Sequence, residues 1–200
     1  MLKFQTVRSV LVAILLSLVA TLSLTTALKA QLVLGLERLV NPRIGDHFYT
    51  TNPQETYDAV RRAGYLHEGT LGSCTATREQ GTTGLYRLIK VRGKRIHRLY
   101  TVDEKELVSA QRNDGYSLEN SGRPICYVQS AYSAIRGRCQ IYRLYNLGDD
   151  HHFYTTDKNE ADNAVTRLGY RYEGSQGFLR SGRYNVSNNR CVVDKNDLIR

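Results

Sequence analysis

Asp46-His47-Phe48-Tyr49-Thr50-Thr51 and His151-His152-Phe153-Tyr154-Thr155-Thr156 are nearly the same phrase written twice, 105 residues apart. The register holds on both sides of it. Arg38-Leu39 and Asn41 fall on Arg143-Leu144 and Asn146. Downstream, Glu55 falls on Glu160, Ala59-Val60 on Ala164-Val165, Gly64-Tyr65 on Gly169-Tyr170 and Glu68-Gly69 on Glu173-Gly174. A more divergent copy lies between them: Arg87-Leu88, Leu99-Tyr100-Thr101, Glu106, Ala110, Gly115-Tyr116 and Glu119 keep the same order. Self-similarity of this kind marks a repeat architecture, in which each unit completes its core against its neighbours.

Each copy has a readable anatomy. A short strand such as Ile141-Tyr142-Arg143-Leu144-Tyr145 leads through a turn into the strand carrying His-Phe-Tyr-Thr. Period-two alternation there predicts Phe48 and Thr50 on one face and Tyr49 on the other. A helix follows in each copy. Asn52, Asp103 and Asp157 each stand three residues before a Glu (Glu55, Glu106, Glu160), the spacing of a capping box. Pro53 occupies a first helical position, where a missing N–H costs nothing. Ala161, Ala164, Val165 and Leu168 form an i, i+3, i+4, i+7 stripe predicted to face the core. Gly64, Gly115 and Gly169 end the helices, where a left-handed residue is needed. A third strand then opens with Tyr65, Tyr116 or Tyr170.

The expected fold class is therefore α+β. It consists of three strand–turn–strand–helix–strand copies, at about residues 36–74, 85–126 and 141–181, with a tail over 182–200. Closure around a pseudo-threefold axis is the favoured arrangement; an open stack of three copies is the alternative.

The pattern Y-R-L-Y-N…D-H-F-Y-T-T…E…A…G-Y…E-G resembles a repeat family of unknown function. That family occurs in secreted proteins of bacteria, fungi and some animals, often in sets of three and sometimes beside cell-wall or polysaccharide hydrolases. The resemblance spans about residues 36–181. The middle copy departs from it: Arg98 stands in place of His, Leu99 of Phe, Val102 of Thr and Asn120 of Gly. The resemblance implies no catalytic residue. The company the family keeps implies glycan or surface binding, by association only.

Residues 1–30 read as a signal peptide. Lys3 and Arg8 precede an apolar run over Val10–Leu24, and small residues follow at Ala27 and Ala30. The run is short for a bilayer crossing. A retained anchor is the competing reading, and no other segment is apolar enough to span a membrane. The expected mature chain is one domain, 31–200, secreted and extracellular. Lys3, Arg8 and Lys29 carry three of the +9 formal charges, so the remainder is +6. That balance suits acidic glycans or other anionic surface polymers; nucleic acid is not expected of an exported chain.

Four cysteines, Cys74, Cys126, Cys139 and Cys191, imply two disulfides with three possible pairings. The favoured pairing is Cys126–Cys139 with Cys74–Cys191. The sequence has no CxxC spacing, hydrolase elbow, zinc-protease motif or phosphate- or dinucleotide-binding loop, so no cofactor is expected and a non-catalytic role is favoured. Asn185-Val186-Ser187 is a glycosylation sequon.

Features that recur in every copy are most cheaply explained by the fold. Glu68, Glu119 and Glu173 with Arg38, Arg87 and Arg143 are expected to pair. His47 and His152 are expected to be hydrogen-bonded structural histidines, with a metal role for Asp149-Asp150-His151-His152 as the sharper reading. Tyr49, Tyr100 and Tyr154 are expected to pack between copies. Function is sought where copies disagree. The basic middle hairpin, Lys90, Arg92, Lys94, Arg95 and Arg98, is the candidate anion contact, with Tyr127 and Tyr132 in the connector as candidate ligand contacts. Three functions compete: a glycan-binding module, an extracellular protein-interaction or structural factor, and a hydrolase or antimicrobial factor.

Overall fold

The computed structural model describes residues 32–93, 95–131, 139–180, 183–185 and 190–192. The segment read as a signal peptide, Lys94 and Tyr132 lie outside them. The described chain is mixed but dominated by sheet, with three helices and two disulfides.

Strands β1 (Val33–Asn41) and β2 (Asp46–Thr50) lead into α1 (Pro53–Arg62) and β3 (Leu66–Thr75). Next come β4 (Thr82–Arg92), β5 (Arg95–Thr101), α2 (Glu104–Asn113), the two-residue β6 (Ser117–Leu118) and β7 (Cys126–Gln129). The order returns with β8 (Cys139–Asn146), β9 (His151–Thr155), α3 (Lys158–Arg167) and β10 (Arg171–Leu179). The short pair β11 (Arg183–Asn185) and β12 (Arg190–Val192) ends the described chain. All pairings are antiparallel. β1, β4 and β8 each hairpin with the strand after them. Three strands join these hairpins: β3 pairs β7 at Thr75–Tyr127, β7 pairs β10 at Gln129–Phe178, and Ser73 bridges Arg180 next to β10.

The helix caps form as the spacing predicts, with one correction. Asn52, Asp103 and Asp157 accept backbone N–H groups of the first turn. The Glu three residues on does not reach back to the cap. A threonine two residues before the cap accepts the cap N–H instead, each at 3.0 Å from Thr50, Thr101 or Thr155. Thr50 and Thr155 in turn donate to Glu55 and Glu160. The capping glutamates are thereby free to act between copies. At the other helix end, Gly64, Gly115 and Gly169 take φ of +74°, +76° and +72°. The following Tyr N–H then returns to the helix, at Ala59, Ala110 or Ala164.

The predicted α3 stripe is only half buried. Ala161 and Ala164 are buried, while Val165 and Leu168 are 41% and 58% exposed. A ten-residue helix touching the sheet through alanines brings its backbone close along a narrow edge and leaves the wider side in water.

The core has one central cluster and three satellites. The central one gathers Leu36, Leu85 and Ile141, the tyrosines 49, 100 and 154, Leu71, Val128 and Leu179. Each satellite lies under one helix: Leu39–Phe48–Ala59–Tyr65, Leu88–Leu99–Ala110–Tyr116 and Leu144–Phe153–Ala161–Ala164. Both faces of β2 are therefore buried, Phe48 in a satellite and Tyr49 in the centre.

The disulfides are Cys74–Cys126 and Cys139–Cys191, which corrects the expected pairing. Cys74 and Cys126 precede the paired residues Thr75 and Tyr127, so their Cα atoms stand 5.9 Å apart. β10 pairs with both β7 and β8, which separates Cys126 from Cys139. Each bridge closes a separation of 52 residues, which contributes about 4 kcal/mol on chain-entropy grounds.

Candidate functional site

The recurring polar residues link copies. Arg38 sits 3.1 Å from Glu68 of its own copy and donates twice to Glu160 of the third. Arg87 sits 3.0 Å from Glu119 and donates twice to Glu55 of the first copy. Arg143 sits 3.2 Å from Glu173 and donates to Glu106 of the second. Thus each Arg holds its own strand Glu and the capping Glu of one neighbouring copy. The tyrosines run the same way. Tyr49 exchanges hydroxyl–backbone bonds with Tyr154, Tyr154 with Tyr100, and Tyr100 with Tyr49. Burial pushes all three phenols up, so they remain neutral donors.

The seams between copies differ in what fills them. Arg38 lies over Phe153 and Arg87 over Phe48, at 5.5 and 5.0 Å. The seam between the second and third copies has Leu99 where those rings stand. A cleft of about 630 Å³ opens there, lined by Leu99, Lys90, Tyr116, Arg143, His152 and Glu173 among others. Glu173 is held down to about 2, first by its hydrogen bond with His152 and also by Arg171 and Arg143. A cleft of about 520 Å³ between Arg38, Glu68 and the start of α3 reaches Cys191.

The hairpin turns form the third cavity, of about 560 Å³. Arg43, Ile44, Gly45 and His47 come from the first copy, Arg95, Ile96 and His97 from the second, and Asp149, His151 and Tyr170 from the third. Arg43, Arg95 and Asp149 are exposed, and His97 and His151 are buried in the wall. His47 Nδ1 and His151 Nε2 share a hydrogen bond of 2.9 Å across the seam between the first and third copies. His97 Nδ1 lies 2.6 Å from the Asp150 carbonyl oxygen, which it reaches as donor. Among the described residues, no His, Cys, Asp and Glu side chains group as a metal site.

The basic hairpin is divided by its surroundings. Lys90 turns inward, 3.5 Å from Asp150 and with its ammonium 4.5 Å from the Tyr116 ring centroid. Arg98 pairs with the fully buried Asp46, bonds Tyr65 and covers Phe48. Burial raises the Asp46 carboxyl despite Arg98, and pushes the Tyr65 phenol up to about 12. These two basic residues serve the seams. Arg92 and Arg95 remain exposed at the tip. Tyr127 is half-buried in β7, between β3 and β4, away from the hairpin turns in the pairing order. Asn185 ends β11, and Val186 and Ser187 lie outside the described residues.

Arg43, His47, His97 and His151 enter the cavity without having been candidates for anion contact, although His151 stood in the run weighed for metal. Their signal in sequence was weak, because they are spread over all three copies and only folding unites them. Among the described residues, no helix is long and apolar enough to cross a membrane. No curated protein and no solved structure matches the chain. A family profile does match, over residues 24–126 and 124–189, and on that match the chain belongs to the family described as a domain of unknown function, DUF5648.

Proposed function

We propose that this chain is a secreted, non-catalytic binding module for anionic glycan or a similar acidic surface polymer. The hairpin-end cavity carries the reading. It brings two exposed arginines and three histidines from three separate hairpins around one opening, with Asp149 the single carboxylate residue in its lining among the described residues. Its volume falls within the usual range for small-ligand sites, and Ile44, Ile96 and Tyr170 add apolar contact for a sugar ring. The +6 charge left after signal removal favours approach of a polyanion.

The proposal includes the architecture that builds the opening. The chain is three copies of the D-H-F-Y-T-T unit, closed around a pseudo-threefold axis with residues 31–200 as one domain. The cyclic tyrosine and Arg–Glu contacts support closure. Export by the 1–30 signal peptide is supported by its charge and apolar pattern, and the two disulfides suit an oxidising compartment. Asn185 is a glycosylation acceptor if the pathway is eukaryotic.

The test is retention of the secreted chain on immobilised heparin in a salt gradient. Replacing Arg43, Arg92 and Arg95 together with Ser should lower the eluting salt clearly, whereas Arg61→Ser on α1 should leave it unchanged. Equal retention of the folded triple variant would overturn the reading and favour a protein-interaction factor.

A further inference from the structure

We propose that the hairpin-end cavity takes up its anionic ligand together with one proton, held by the hydrogen-bonded pair His47 and His151. This rests on the anion-binding reading above and adds to it a linked protonation.

The pair is a defined device. His47 leaves β2 and His151 leaves β9, and their rings meet with centroids 5.2 Å apart. A bond between Nδ1 of one ring and Nε2 of the other needs one N–H and one bare nitrogen, so the neutral pair satisfies it. Two imidazolium rings would oppose N–H to N–H at 2.9 Å. One added proton is the capacity of the arrangement. Room for it exists: His47 Nε2 lies 3.9 Å from the Glu68 carboxylate on β3, so a charged His47 has an acidic neighbour.

The surrounding groups explain why the pair is neutral without a ligand. Around His47 are Arg38 on β1, Glu68 on β3, and His151 and the Phe153 ring on β9. Around His151 are His152 and Asp149 on its own hairpin, with His97 and Arg98 on β5. Burial first, then the neighbouring histidines and arginines, lower His47 to about 3 and His151 to about 4. Asp149 and Glu68, the acidic neighbours of the pair, do not offset these effects, so the pair is short of negative charge. A sulfate entering between Arg43 and Arg95 supplies it at the same opening that His47 and His151 line.

The sign follows from linkage. A ligand that raises a histidine pKa binds more tightly as pH falls, from the bound-state pKa down to the free-state value. With one proton coupled, the slope is at most about tenfold in affinity per pH unit.

The probe is sucrose octasulfate, whose sulfates stay ionised, so any proton taken up goes to the protein. It is titrated calorimetrically into the secreted chain at pH 6 in two buffers of different ionisation enthalpy, and again at pH 7.5 and 5.5. The expected result is net proton uptake and several-fold tighter binding at pH 5.5. A His47→Asn/His151→Gln double variant keeps the neutral bond geometry and should bind without that uptake. His97→Gln should retain it. Ring-nitrogen NMR of the unmodified chain provides a second measurement, with the His47 and His151 signals moving toward imidazolium on ligand addition. Binding with buffer-independent heat, or uptake unchanged in the double variant, overturns the proton coupling while leaving the anion site standing. No binding at any pH overturns both.

Discussion

The Tyr49 hydroxyl donates to the Tyr154 carbonyl oxygen at 2.8 Å and accepts the Tyr154 N–H at 2.9 Å, tying two residues 105 positions apart. The same exchange recurs from Tyr154 to Tyr100 and from Tyr100 to Tyr49. Each phenol thus replaces a missing strand partner. β2, β5 and β9 come together at their free edges, and the hydroxyls supply the backbone bonds those edges would otherwise lack.

Tyr154→Phe should be costly although it removes one oxygen. It leaves the Tyr100 N–H and carbonyl oxygen buried without their partner. A loss of about 2–4 kcal/mol is expected, read as a lower urea midpoint with unchanged slope. A loss under about 0.5 kcal/mol would mean that water takes the place of the hydroxyl.

Arg87→Ala should destabilise more than a surface pair would. Arg87 is almost fully buried and bonds Glu55 twice while lying over Phe48. Its removal takes the nearest cation from Glu55 and Glu119, leaving them Thr50 and the more distant Arg98, at about 3 kcal/mol. Calorimetry at pH 7 checks this, with Arg62→Ala, from an exposed i,i+4 pair, as the near-neutral comparison.

Stability should fall on acidification below pH 6.5. His47 and His151 are lowered to about 3 and about 4 in the folded chain, against 6.5 for an ordinary histidine. The unfolded chain therefore binds more protons in that window, and folding weakens as pH drops through it, by a few kcal/mol between 6.5 and about 4. Thermal melts across this range should show the slope, and the His47→Asn/His151→Gln variant should flatten it.

Leu99→Phe should close the cleft at the seam between the second and third copies. It restores the ring that Phe48 and Phe153 offer to Arg87 and Arg38. The melting temperature should hold or rise by a few degrees. A fall would show that the second satellite, already filled by Leu88, Ala110 and Tyr116, has no room for the ring.

Peptide mapping without reduction should recover Cys74 linked to Cys126 and Cys139 linked to Cys191, with no free thiol. Cys74→Ser/Cys126→Ser should cost about 4 kcal/mol.

The sequence by itself determined the local elements: the hairpins, the three helices and their ends. Turn glycines, cap residues and strand alternation are local, and Gly64, Gly115 and Gly169 have the backbone conformation their position demands. It also marked Arg38, Arg87 and Arg143 as partners of Glu68, Glu119 and Glu173. Only the tertiary structure decided how copies meet. The capping Glu55, Glu106 and Glu160 look local in sequence, yet their carboxylates bond arginines of other copies, with threonines taking over the caps. Cysteine pairing followed strand adjacency, which spacing does not encode. The basic hairpin was split the same way: Lys90 and Arg98 found acids across a seam, while Arg95 came to face Arg43 and the histidines over one cavity. Charge and burial at these positions depend on residues more than fifty places away, and no local pattern carries that distance.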